Sequence, residues 1–272
     1  MTGPDVVDLI RIKPGSAAAL ARREPDSRLG YGDKESSLKL LEGLVGEVGS
    51  LHRRLWAEGK RSVLLVLQGL DASGKDGTIA HVLTGVNPQG CRIVSFRQPT
   101  EIELAHDYLW RIHAACPARG ELGIFDRSHY EDVVTVRVRG IVPKSVWKKR
   151  LRQIRQFERM LSEEGTAIVK IFLNVSRDEQ ARRLQERLDN PEKAWKFRLA
   201  DLDDRAHWND YIEAYETAIN ETSTDWAPWH VVPADHNWVR NLAVAELLAD
   251  ALRRLDPQLP APDPTVAGTK IA

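Results

Sequence analysis

Cysteine is almost missing from this chain: Cys91 and Cys116 are the two it has in 272 residues, with no patterned spacing. So few thiols exclude a disulfide framework or a zinc-knuckle array and suit a reduced compartment. Neither sign of charge is in excess. Lys+Arg and Asp+Glu both number 39 and the formal net charge is zero, so any polyanion site must come from local clustering, and nucleic acid is not expected as a partner. Long apolar runs are absent too. The most compact, Val63-Leu64-Leu65-Val66-Leu67, falls far short of the roughly 20 residues a membrane span needs. Pro4, Asp5 and Asp8 stand where a signal peptide would need its apolar core. A cytoplasmic protein with no membrane partner is therefore expected. What remains is ordinary: 42% hydrophobic and 29% charged residues, enough for one α/β domain with a large core.

Patterning divides the chain into an irregular N-terminal arm at 1–33, one domain at 34–256 and a loose, proline-bearing C-terminal tail at 257–272. Leu38, Leu41, Val45, Val48, Leu51 and Leu55 recur at spacings of three and four, predicting a helix over 34–58 that Gly59 can end. Ser62–Gln68 then reads as a strand buried on both faces. Further strands are predicted at Arg92–Phe96, Leu122–Phe125, Ala167–Leu173 and His230–Val232. Helices are predicted at about 101–115, 144–164, 177–189, 199–220 and 238–255. Such alternation means a parallel sheet covered by helices on both sides, a three-layer α/β fold.

The strongest local signal is Gly69-Leu70-Asp71-Ala72-Ser73-Gly74-Lys75-Asp76-Gly77-Thr78, where Gly69, Gly74 and Lys75 occupy the fixed places of a P-loop. The chemistry needs these residues. Backbone N–H groups converge on phosphate oxygens only where glycine lets the chain approach, and the following helix points its positive end at the anion. Lys75 adds a mobile full charge. The competing reading is a plain glycine turn between strand and helix. The place after the lysine, commonly Ser or Thr, is Asp76, and Asp71 lies inside the loop. A carboxylate beside a phosphate needs a cation between them, so Asp71 is expected to hold or orient magnesium. Asp76 is open between a phosphate-side role and a first-turn residue stabilised by the helix dipole.

Gly123-Ile124-Phe125-Asp126-Arg127-Ser128-His129-Tyr130-Glu131-Asp132 reads as a strand ending in a second metal-handling acid, Asp126, followed by a phosphate-contacting Arg127. The alternative is a helix cap with a surface charge. Arg183 and Arg187, four apart on one helical face, suggest a lid at about 177–200 that closes cations over phosphates. The basic helix 147–159 reads instead as a solvated face.

Together these residues resemble the family-2 polyphosphate kinases. The matching pieces are Gly69–Gly77, Phe96-Arg-Gln-Pro-Thr100, His106–His113, Phe125-Asp-Arg-Ser-His-Tyr-Glu-Asp-Val133, Arg187–Phe197 and Ala227–Ala234, in family order. The resemblance implies a P-loop kinase fold, thymidylate-kinase-like with a helical lid. It implies polyphosphate-dependent, reversible phosphorylation of AMP, ADP or both, and of their guanine counterparts, with ATP among the nucleotides bound. Magnesium is the implied cofactor, with manganese as a substitute. Asp71 and Asp126 would manage the metal, and Lys75, Arg127 and Arg187 the reacting phosphates. Gly69, Ala72, Ser73, Gly74, Asp76, Gly77, Thr78, Arg183, Lys193 and Lys196 would line the polyphosphate path. Gln98, Pro99, Thr100, Arg111, Tyr130 and Glu131 would face the nucleotide, with Tyr130-Glu131-Asp132 resembling members that use monophosphates or both acceptors. A homo-dimer or homo-tetramer is implied as well. Two rival readings are an ATP-dependent kinase on the same core and a non-catalytic P-loop sensor.

Overall fold

The apolar run after Gly59 forms the centre of the molecule. In the computed structural model, which describes residues 6–266, six strands make one sheet. They are β1 (Arg11–Ile12), β2 (Ser62–Gln68), β3 (Cys91–Ser95), β4 (Leu122–Asp126), β5 (Thr166–Asn174) and β6 (Trp229–Pro233). Their order is β1-β6-β5-β2-β4-β3; β2 to β6 run parallel and β1 pairs antiparallel with β6. All seven residues of β2 are buried, and successive side chains alternate between the two faces. Leu64 and Val66 pack with Phe125 and Phe172 against the helices Lys144–Glu163 and Trp208–Thr222. Val63, Leu65 and Leu67 pack on the other face, against the helices Lys34–Glu58 and Asn237–Leu255. This is the three-layer arrangement expected.

The helix Lys34–Glu58 starts on the Asp33 side chain, which accepts from Ser36 N, and ends at Gly59 with φ 62°. That positive φ suits glycine as the C-terminal stop.

Four expectations need correction. The stretch 1–33 is not wholly irregular: Val6–Ile10 is helical and Arg11–Ile12 adds the sixth strand, with Val7, Ile10, Ile12, Ala18 and Leu20 buried. The helix predicted at 101–115 is two, Glu101–Leu104 and Trp110–Ala115, because Asp107 turns the chain by accepting from Leu109 N. The helix predicted at 199–220 breaks at His207 into Leu199–Ala206 and Trp208–Thr222. An unpredicted helix, Val134–Val138, follows β4. Of the predicted tail, residues 257–263 form no helix or strand and Pro264–Val266 makes a 3₁₀ turn; 267–272 lie outside the described residues, as do 1–5. Among the described residues no helix is long and apolar enough to cross a membrane.

His230 on β6 is 5% exposed, and its Nδ1 lies 3.2 Å from Lys170 O. Burial pulls its pKa down to about 4, with the hydrogen bond partly opposing. A histidine neutral in the fold takes up its proton first in the unfolded chain, so its contribution is complete above pH 6.5 and fades as pH falls toward 4. Between pH 7 and pH 5 His230 is expected to account for about 2 kcal/mol of lost stability. Urea unfolding of the parent and His230→Gln at both pH values checks this. Equal losses in the two proteins would contradict it.

Candidate functional site

The C-terminal ends of β2 and β4, neighbours in the sheet, carry the chemistry. Register pairs Leu67 with Asp126, and the P-loop begins two residues after Leu67. Open α/β sheets bind ligands at this end of their strands. The loop turns through Gly69 (φ 150°), Ala72 (φ 61°) and Gly74 (φ 104°) before the helix Lys75–Val82 begins. A Cβ on Gly69 would lie 2.7 Å from Ser73 Oγ and 3.0 Å from Leu173 O, which leaves no room for a side chain. Lys75 folds back over the loop, its Nζ donating to Gly69 O at 2.8 Å, with 8% of the residue exposed. Burial, then the Arg127 charge, draws its ammonium below the usual lysine range, against the pull of Asp71, Asp126 and Glu131.

Asp71 and Arg127 meet directly: Arg127 Nη2 donates to Asp71 Oδ1 at 2.5 Å. Burial would raise the Asp71 carboxyl, but Lys75 and then Arg127 outweigh it and hold it below the usual carboxylate value. Asp126 accepts from Ser95 Oγ at 3.0 Å through Oδ2, while its buried Oδ1 has no hydrogen-bond partner. Arg127 has φ 62°, a left-handed conformation rare for a side-chain-bearing residue, and its N–H donates to Leu67 O. Two such residues, Ala72 and Arg127, flank the same spot; strain of this kind collects where function over-determines the backbone.

The residues expected to form a lid divide. Arg187 makes a loose ion pair with Asp201 at 3.6 Å and lies close enough to Asp71 and Asp76 to depress both. Arg183 departs from expectation. Its donors go to Glu179 and to Ala72 O, Ser73 O, Ala234 O, Asp235 O and Asn237 Oδ1. With its guanidinium engaged by these protein acceptors, Arg183 braces the loop. Lys196 donates to Asp76 Oδ2 at 3.0 Å, tying the segment expected as a lid to the loop, and Lys193 pairs with Glu186 at 2.6 Å. Asp76 thus faces Lys196. Thr78 is buried and its hydroxyl bonds back to Gly74 O. Gly77 packs near Arg240.

A cleft of about 620 Å³ opens beside the loop, lined among others by Asp71, Gln98, Pro99, Arg111, Arg127 and Glu131. Two predicted nucleotide contacts are elsewhere. Thr100 caps the helix Glu101–Leu104 in a reciprocal capping box. Tyr130 is fully buried, its hydroxyl held by Glu158, Thr222 and Lys170. Glu131, next in the chain, faces the cleft. With the buried Gln68 amide turned so that its oxygen accepts from Ser128 N, its nitrogen reaches Glu131 Oε1 at 3.0 Å. Arg97, Arg139 and Arg150 also line the cleft and were not foreseen. Arg150 belongs to the basic helix read as a solvated face; it donates to Asp132 O and lies 4.6 Å from the Tyr108 ring centroid. Its neighbours Lys148, Lys149 and Arg152 are indeed exposed. A smaller cavity, about 300 Å³, sits around Thr166, His230 and Leu247 at the other ends of the strands and contains none of these groups.

Arg187→Ala is expected to cut turnover by more than tenfold with the fold intact, since a lost charge-assisted contact is worth roughly 1.5–3 kcal/mol. Steady-state rates beside a melting curve test it, and an unchanged rate would remove Arg187 from the reaction.

Comparison with known proteins agrees with this geometry. The family model described as Polyphosphate kinase 2 matches residues 31–260. An AMP/ADP-polyphosphate phosphotransferase of Meiothermus ruber is 55% identical over 254 residues, 93% of this chain and 95% of that one. An ADP-polyphosphate phosphotransferase of Rhodopseudomonas palustris is 44% identical over 246 residues, 86% of this chain and 85% of that one. The crystal structure of polyphosphate kinase 2 from Arthrobacter aurescens superimposes with a TM-score of 0.92 at 43% identity, covering 96% of this chain and 93% of that one. The fold is accordingly a P-loop kinase fold.

Proposed function

The chain belongs to the polyphosphate kinase 2 family, and on that premise we propose that it transfers the terminal phosphoryl group of inorganic polyphosphate to AMP and to ADP. One observation carries the reading. A lysine, two carboxylates and an arginine converge where a P-loop meets an arginine-lined cleft, so that two polyanions can be brought end to end. The most similar relative described above is named for both acceptors, which supports dual use here.

Both reactants are anions, and catalysis consists of alignment and charge neutralisation. An ionised phosphate oxygen of the nucleotide attacks the terminal phosphorus in line. A new P–O bond forms, the bond to the bridging oxygen breaks, and its electron pair leaves on the shortened chain. No protein nucleophile is required, and His129 is buried against Glu158. Lys75 and Arg127 neutralise the transferring group. Arg187, on the lid, screens it from water. Arg97, Arg111 and Arg150 suit the nucleotide phosphates in the cleft.

Magnesium fits this donor set. The Oδ1 of Asp126 is buried without a hydrogen-bond partner, and Asp126 and Asp71 both act on the Lys75 ammonium, so the two carboxylates suit a shared cation. No cluster of three or more His, Cys, Asp or Glu side chains forms a cage among the described residues. Magnesium is commonly held by one or two carboxylates plus water and substrate phosphates. Bound there, it would offset charge on the phosphate oxygens. Two free cysteines suit a cytoplasmic setting.

The test is an incubation of the purified protein with magnesium and polyphosphate plus AMP or ADP separately, with chromatography of the products. ADP then ATP from AMP, and ATP from ADP, are expected. Polyphosphate inert as donor while ATP phosphorylates the acceptor would overturn the reading in favour of an ATP-dependent kinase.

A further inference from the structure

Arg240, on the helix Asn237–Leu255, is a buried cation with no carboxylate partner among the described residues. It is 3% exposed. Its Nη1 donates to Asn237 Oδ1 at 2.8 Å and reaches Ser73 O at 3.4 Å, while Nε and Nη2 donate to Asn241 Oδ1 at 3.2 and 3.0 Å. Every acceptor is a neutral carbonyl or amide oxygen. No carboxylate pairs with it among the described residues, and the one neighbouring charge that acts on it, Arg183, is of the same sign. Burial, with Arg183, pulls its pKa down to about 9, so the guanidinium is still protonated at neutral pH.

Its position gives that cost a purpose. The guanidinium lies against the P-loop: a Cβ on Gly74 would lie 1.9 Å from Nη1, and one on Gly77 would lie 3.3 Å from Nη2. Arg183 binds the carbonyls of Ala72 and Ser73 beside it, and Asn237 Oδ1 accepts from both arginines. Arg183 is offset by Glu179 at 2.7 Å, whereas no carboxylate among the described residues offsets Arg240. Two acids, Asp71 in the loop and Asp76 in the first turn of the helix after it, oppose an incoming phosphate. An unpaired buried charge is costly, and proteins ordinarily pair or remove it.

We infer that Arg240 is a positioning residue whose uncompensated charge, held behind the phosphate loop by neutral acceptors, sets the affinity for the polyanionic donor. The inference rests on the polyphosphate reading given above. Asn237 and Asn241 are on this view the telling choices: an aspartate at either place would satisfy the same hydrogen bonds and cancel the charge.

Asn241→Asp is therefore the experiment. It keeps volume and both hydrogen bonds and adds one compensating charge. The expected result is a KM for polyphosphate raised roughly tenfold, the scale of a unit charge acting over about 10 Å at a partly buried site. kcat at saturating donor should change less than threefold, and the melting temperature should hold or rise. Calorimetric titration with inorganic tripolyphosphate, with no acceptor present, should show the same weakening. Arg240→Met should weaken binding similarly while melting lower. A merely structural role predicts the opposite for Asn241→Asp: stability raised and donor affinity unmoved, and that outcome overturns the inference. Failure of the parent to use polyphosphate would instead overturn the functional reading, so the two failures are distinguishable.

Discussion

Lys75→Ala is expected to lower turnover by about a thousandfold or more, the scale of removing a preorganised charge from a water-poor phosphoryl-transfer site. The side chain is 8% exposed and curls over the loop onto Gly69 O. It lies within reach of Asp71, Asp126 and Glu131, so its charge works against three carboxylates as well as for the phosphates. Removing it leaves Asp71 paired with Arg127 and the sheet untouched. The loss should therefore appear in kcat with the melting temperature shifted by only a few degrees. Rate measurements beside thermal unfolding check this; a variant that retains a tenth of the parent's rate would place the charge-bearing role elsewhere.

The second large effect concerns stability. Lys170 on β5 is fully buried, and its ammonium donates to Glu158 Oε2 at 2.6 Å, to Tyr130 OH at 3.0 Å and to Thr222 O at 2.7 Å. It also lies 5.4 and 5.3 Å from the ring centroids of Tyr130 and Trp229. All three of its protons are used. Burial raises the Glu158 carboxyl, but Lys170 and His129 together outweigh this, so the acid is held below its usual value. Lys170→Met strands that carboxylate and is expected to cost about 3–5 kcal/mol of unfolding free energy. Adding Glu158→Leu should recover a good part, because an apolar pair replaces an ion pair far better than a single deletion does. Urea denaturation of the single and double variants tests this. A double variant no more stable than the single would show that packing, not the stranded charge, dominates. The network also anchors Tyr130, three residues after the strained Arg127, so activity should fall with the single change.

Legibility in the sequence followed the range of the interactions. Strand β2 and the helix Lys34–Glu58 match their predicted bounds because their signals are local: a run with no polar alternation, and an apolar stripe stopped by Gly59. The P-loop and Asp126 were legible for the same reason. Strand β1 was not, since two residues acquire strand geometry only by pairing with Trp229 and His230. Tyr130 and Glu131 share one segment, yet the 3₁₀ turn His129–Asp132 sends one into the core and the other to the cleft. Arg183 and Arg187 share a helical face, yet Arg183 alone reaches the loop carbonyls. Arg240 gave no signal at all; it contacts Ser73 across 167 positions.

Donor identity decides more than any substitution. Polyphosphate labelled with ³²P, mixed with magnesium and unlabelled AMP in the absence of ATP, should pass its label directly into the β-position of ADP and then the γ-position of ATP, and Lys75→Ala should abolish that transfer. Label that stays in polyphosphate while [γ-³²P]ATP readily labels AMP would contradict the proposal.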